Sequence, residues 1–125
     1  MLFLLLAQMM TQNGSDSIRQ YVIDEFHFLT SLMFQIDNDL DKIPEVNISN
    51  NIDETNFDLE KLRVNFIVSI QKRCIMMSQR YQKLINILSE NNIDDKKLKS
   101  RLNMAVKDCE KLADDLKYAI SDEFY

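Results

Sequence analysis

A chain of 125 residues with one glycine, one proline and a net charge of −5 leaves little room for a β-sheet, whose turns draw on both residue types, and lacks the basic excess of a nucleic-acid surface. Its 46% hydrophobic and 28% charged residues form a globular balance, unlike the low-hydrophobicity composition of disordered chains, and the length suits one domain. Two cysteines exclude a disulfide framework and a four-thiolate zinc site, and they suit a reducing compartment.

Residues 1–10 read MLFLLLAQMM. No Lys or Arg precedes the apolar run, and Leu2 to Ala7 is shorter than the roughly 7 to 15 apolar residues of a secretory signal and far short of the roughly 20 that span a bilayer. Residues 1–14 are therefore read as an apolar N-terminal arm or short helix packed on the rest. If they were instead a signal remnant, the triplets beginning at Asn13 and Asn47 would become glycosylation acceptors. A membrane contact through residues 2–6 is a further alternative.

Gly14 and Ser15 close the arm, Ser15 is a candidate cap, and Asp16 complements the positive end of a helix dipole. A first helix over about 15–43 carries apolar residues at 3-4 spacing, Val22, Phe26, Leu29, Met33, Ile36, Leu40 and Ile43, the pattern of a helix that buries a seam. Pro44 stops it, since proline cannot continue the hydrogen-bond ladder. The Asn-, Asp- and Ser-rich stretch from Pro44 to Asn56 then reads as the one real loop.

A second helix over about 56–89, capped by Thr55 or Asn56, has the seam Ile67, Ile70, Cys74, Met77, Tyr81, Leu84 and Leu88. Further apolar residues off that seam, among them Val64, Phe66, Val68, Ile75, Met76, Ile85 and Ile87, widen its apolar face and place it centrally. Asn65, Ser69, Lys72, Gln79, Lys83 and Asn86 form its single polar stripe. Asn91 and Asn92 turn the chain into a third helix over about 94–122, with the seam Leu98, Leu102, Ala105, Cys109, Leu112, Leu116 and Ala119. So short a connection makes helices two and three antiparallel; the longer loop leaves helix one more freedom, since roughly 13 extended residues could just span a helix of about 29, so a strained parallel packing is an alternative to the expected antiparallel one.

Across an antiparallel hairpin, facing residues have numbers with a constant sum. A sum of about 183 sets Cys74 against Cys109 as facing thiols, while a sum of about 186 sets Cys109 against Met77; both registers are compatible with the spacing. The thiols read first as small apolar core groups, and second as a bridge, which needs α-carbons within about 7 Å.

No catalytic, cofactor-binding or metal-binding set emerges, and neither an enzyme nor a small-molecule substrate is expected. His27, the single histidine, has Asp24 three residues before it and reads as a surface histidine beside a carboxylate. Asp37, Asn38, Asp39 and Asp41 resemble the opening of a calcium loop, but Lys42 stands where the turn needs Gly and Ile48 where the bidentate Glu belongs. That run is instead an acidic helix end, opposed by the helix dipole.

The expected fold is all-α, an antiparallel up-down three-helix bundle with long helices and a short apolar N-terminal arm, residues 15–125 forming the bundle domain. The seams resemble a coiled coil, yet the turn at Asn91, the stop at Pro44 and the wide second helix put them inside one chain. A three-helix bundle has few inward positions, so the surplus apolar residues Leu2, Phe3, Leu4, Leu5, Leu6, Tyr21, Phe28, Phe34, Phe124 and Tyr125 are the candidate partner surface. The expected function is a non-catalytic, cytoplasmic protein–protein interaction module, an adaptor, scaffold or assembly subunit that binds a protein partner or itself. The alternatives are a secreted or pathogen-encoded helical effector that binds a host protein, and a membrane-peripheral protein anchored by residues 2–6.

Overall fold

A computed structural model describes residues 14–43 and 54–123. The apolar arm, the loop after Ile43, and Phe124 and Tyr125 lie outside the described residues. Every secondary-structure element among the described residues is a helix: α1 runs Ser15–Leu40, α2 Glu54–Glu90 and α3 Lys96–Glu123. They form the expected three-helix bundle, with α2 packed against both neighbours and α1 and α3 approaching each other less closely.

The helix ends show where local chemistry sets the boundaries. Gly14, not Ser15, holds the N-cap position of α1. Its φ of 55° lies in the left-handed region that glycine adopts without strain, and Ser15 is drawn into the first turn. At the other end α1 stops at Leu40 rather than Ile43, because the bonds from Lys42 N to Asp39 O and from Ile43 N to Leu40 O tighten the chain into i→i+3 turns. Helix α2 begins at Glu54, so Thr55 and Asn56 fall inside its first turn instead of capping it.

The turn between α2 and α3 is a Schellman motif. Ile93 N bonds Leu88 O at 2.9 Å and Asn92 N bonds Ser89 O at 3.2 Å, with Asn92 left-handed at φ 56° and Ile93 buried beside Leu88. Asp95 then caps α3 by accepting from Leu98 N at 3.0 Å. Those two features leave only five residues between the helices and impose the reversal.

Helix directions follow from side-chain pairs. Glu25 meets Arg80 and Asp39 meets Arg73, so numbers fall along α2 as they rise along α1, an antiparallel pair. Arg19 meets Asp95 and Met33 meets Cys109, each pair 76 residues apart, so α1 and α3 run parallel. Gln71 Nε2 donates to Ala113 O at 3.3 Å. Their numbers sum to 184 (71 + 113), which favours the hairpin register that sets Cys74 level with Cys109.

All seven seam residues of α2 are buried, as are Ile18, Val22, Leu29 and Ile36 of α1. In α3 the buried set is Leu98, Leu102, Val106, Cys109, Ala113 and Leu116, whereas Ala105 and Leu112 are only half-buried. This helix packs far more closely on α2 than on α1, so its buried stripe is turned toward α2 through Val106 and Ala113. At the centre, the Tyr81 ring packs on Phe26 at 5.8 Å between centroids and its hydroxyl meets Thr30. Within the described residues no helix is long and apolar enough to cross a membrane.

Candidate interaction surface

The off-seam aromatics of α1 divide between its two flanks. Tyr21 is half-buried against the core, in a hollow between α1 and α2 that Glu25, Arg80, Lys83, Leu84 and Ile87 complete. Burial first and Glu25 second raise its hydroxyl above the ordinary range, against a lowering pull from Arg80. Phe28 is 51% exposed with the Arg80 guanidinium 5.8 Å from its ring centroid, a cation–π contact. Phe34 is 64% exposed. Helical spacing puts it on the opposite flank, toward α3, one heptad beyond His27. The three α1 aromatics of the candidate partner surface are therefore divided: Tyr21 and Phe28 border α2, and Phe34 lies toward α3. Leu2, Phe3, Leu4, Leu5, Leu6, Phe124 and Tyr125 lie outside the described residues.

Between α1 and α2 runs an apolar groove of Leu32, Ile36, Met76 and Met77, rimmed by Arg73 and Arg80. Both arginines are engaged, Arg73 with Asp39 at 2.6 Å and Arg80 with Glu25 at 3.0 Å. The first pair changes the reading of the acidic end of α1, because a cation from α2 offsets the unfavourable dipole there. Such partly exposed pairs contribute at most about 1 kcal/mol each. We expect Arg73→Met to lower stability by no more than about that amount in chemical denaturation.

Between α1 and α3 lies a second groove, floored by Ile23, Phe26 and Leu98 and rimmed by Arg19, His27, Lys97 and Arg101 with Asp95. Asp95 is held below the usual carboxylate range, first by the Leu98 amide and then by Arg19. His27 is exposed and meets Phe26 edge-on at 6.0 Å, while Asp24 takes its hydrogen bond from Gln20 at 2.9 Å. Along α3 the stripe Lys97, Arg101, Met104, Asp108, Lys111, Asp115 and Tyr118 is exposed throughout, with Met104 at 63% and Tyr118 at 69%.

Sequence reasoning missed this stripe, although it has the same 3-4 spacing as the seam and lies beside it. The signal was two large apolar residues, Met104 and Tyr118, on a line otherwise charged. It also missed the exposure of Ile75 and Met76, which the width of the apolar face of α2 had placed inside. The stripe of Asn65, Ser69, Lys72, Gln79, Lys83 and Asn86 is exposed as expected, and Met76 falls within it.

Cys74 and Cys109 are free and buried. Cys109 Sγ lies 3.5 Å from Met33 Sδ, where the three helices meet. Burial pushes its thiol up to about 12, with Cys74, Asp108 and Glu110 adding to the rise in that order. Burial raises the Cys74 thiol as well, partly offset by Arg73. Within the described residues no group of three or more His, Cys, Asp or Glu side chains is placed to hold a metal ion.

The described residues thus form an all-helical three-helix bundle with open grooves along α1 and several large apolar side chains left outside its core. No protein-family model, curated protein or solved structure matches the chain.

Proposed function

We propose that the protein is a non-catalytic interaction module, an adaptor, scaffold or assembly subunit that binds a protein partner or a second copy through a helical face. The observation that carries this reading is the exposure of Phe28, Phe34, Met76, Met104 and Tyr118 around a body whose seam positions are already filled from within the chain. Large apolar groups that a core cannot absorb are what helix-in-groove and helix-on-helix recognition use as anchors. The buried free thiols fit a reducing, cytoplasmic setting.

Chemical cross-linking in the native source, with the wild-type chain and with Phe34→Ser and Phe28→Ser, tests it. Both phenylalanines are exposed, so each variant should keep its fold to within about 0.5 kcal/mol. One of the two should lose a cross-linked adduct that the wild type forms. Adducts identical across all three proteins would contradict the reading.

A further inference from the structure

We infer that Met33, Cys74 and Cys109, one sulfur from each helix, form a binding site for a single soft cation, Cu(I). The site lies inside the bundle and is independent of the interaction surface proposed above.

Three registers bring the sulfurs into one layer. Between α1 and α3 the contact is direct, Cys109 Sγ lying 3.5 Å from Met33 Sδ. Between α1 and α2 the Phe26 and Tyr81 rings pack at 5.8 Å. One heptad further along α1 stands Met33, and one heptad back along the antiparallel α2 stands Cys74, each on the same helix face as the ring it follows. Between α2 and α3, Gln71 donates to Ala113 O; one helical turn onward in α2 and one turn back in α3 bring Cys74 level with Cys109. The two thiols act on each other electrostatically, as neighbours in one layer do. Both are buried, at 0% and 1% exposed, while Met33 is half-buried against the core.

The donor set selects the ion. Thiolate and thioether sulfur are soft ligands that favour Cu(I), whereas carboxylate and carbonyl oxygens suit harder ions. With metal–sulfur bonds near the roughly 2.3 Å of zinc thiolates, ligating sulfurs stand roughly 4 Å apart. The 3.5 Å between Met33 and Cys109 is close to that spacing, so side-chain rotation suffices and no helix has to move. Structural zinc takes four ligands, and among the described residues no set of three or more His, Cys, Asp or Glu includes these thiols. Cu(I) accepts fewer donors, and a dry core keeps water from it.

Binding exchanges two S–H bonds for two S–Cu bonds. Both protons leave to solvent, Met33 Sδ donates a lone pair, and copper stays Cu(I) throughout. One cation between two thiolates leaves one negative charge in the layer. Arg73 draws the Cys74 thiol toward its charged form and so favours that state, whereas Asp37 at Cys74 and Asp108 and Glu110 at Cys109 oppose it. Met33 lies between α1 and α3, the pair of helices that approach each other less closely, and its half-buried thioether is the entry point.

Anaerobic titration of the reduced full chain with Cu(I), in competition with bicinchoninate, tests the site. The wild type should take one copper per chain from the chelator, releasing protons as it does so. Met33→Leu conserves volume and should hold the fold, yet weaken copper binding at least about tenfold, since even partners outside the ligand shell are worth about 10- to 100-fold. Cys74→Ala and Cys109→Ala should weaken it further, and Met104→Leu should leave it unchanged. Copper should also raise the urea midpoint of the wild type, because the folded chain alone holds the three sulfurs together. A wild type that takes no copper from the chelator overturns the inference, as does Met33→Leu binding as tightly as wild type. A midpoint lowered by copper overturns it equally, since the thiols would then be reached only by opening the core.

Discussion

Leu102→Ala is expected to lower the free energy of unfolding by about 2–5 kcal/mol. Leu102 is fully buried on the middle helix turns of α3, the element most closely packed against α2. Truncation removes apolar contact and leaves a void that two long, mutually packed helices cannot easily close, so both the transfer and the cavity costs apply. Leu84→Ala, at the facing side of the hairpin and only 3% exposed, should lose a comparable amount. Met104→Ala supplies the contrast: two residues along the same helix but 63% exposed, it should change stability by no more than about 0.5 kcal/mol in dilute protein. Urea denaturation of the three variants checks this. Equal costs for Leu102 and Met104 would show that the described seam is not the core.

The thiols carry the second large effect. Cys74 and Cys109 should resist alkylation in the native protein by several orders of magnitude relative to the unfolded chain, because the reactive thiolate is both sterically enclosed and disfavoured by burial. The same burial makes stability depend on pH. An unperturbed thiol titrates at 9.0, whereas Cys109 is pushed up to about 12. Within that window the unfolded chain has lost a proton that the folded chain keeps, so stability falls as pH rises. Below the lower value the contribution is complete and constant. Cys74 and Tyr81 are raised for the same leading reason, burial, and act in the same direction. Denaturation midpoints between about pH 8 and about pH 11 should fall more steeply for wild type than for Cys109→Ala. Parallel slopes, or rapid labelling of native protein in reducing buffer, would contradict the account.

The bundle was legible because its periodicity is redundant: every α2 seam residue from Ile67 to Leu88 is buried, and each repeats a position fixed by the last. The turn at Asn91 was equally plain, since an Asn pair between two apolar repeats announces a left-handed residue, here Asn92. The ion pairs were not. Asp39 read as an unfavourable acid because only the antiparallel register of α1 on α2 brings Arg73 to it, and no local pattern encodes that register. The surface was half legible for a similar reason. An off-seam aromatic is visible in sequence, but which flank it occupies depends on where the neighbouring helices lie. Tyr21 and Phe34 were therefore grouped together although the fold separates them. The third seam is turned to Val106 and Ala113 because α3 packs far more closely on α2 than on α1, an asymmetry that no local repeat encodes.

What remains after the seams are filled is a face, and methionine reports on it directly. Methyl spectra of the methionines should be recorded as the concentration of the full chain is raised. At least one of the exposed methyls, Met76 or Met104, should shift in a saturable manner, while Met77 in the core stays fixed. Static signals from both would contradict the claim that a second copy binds through the exposed apolar side chains.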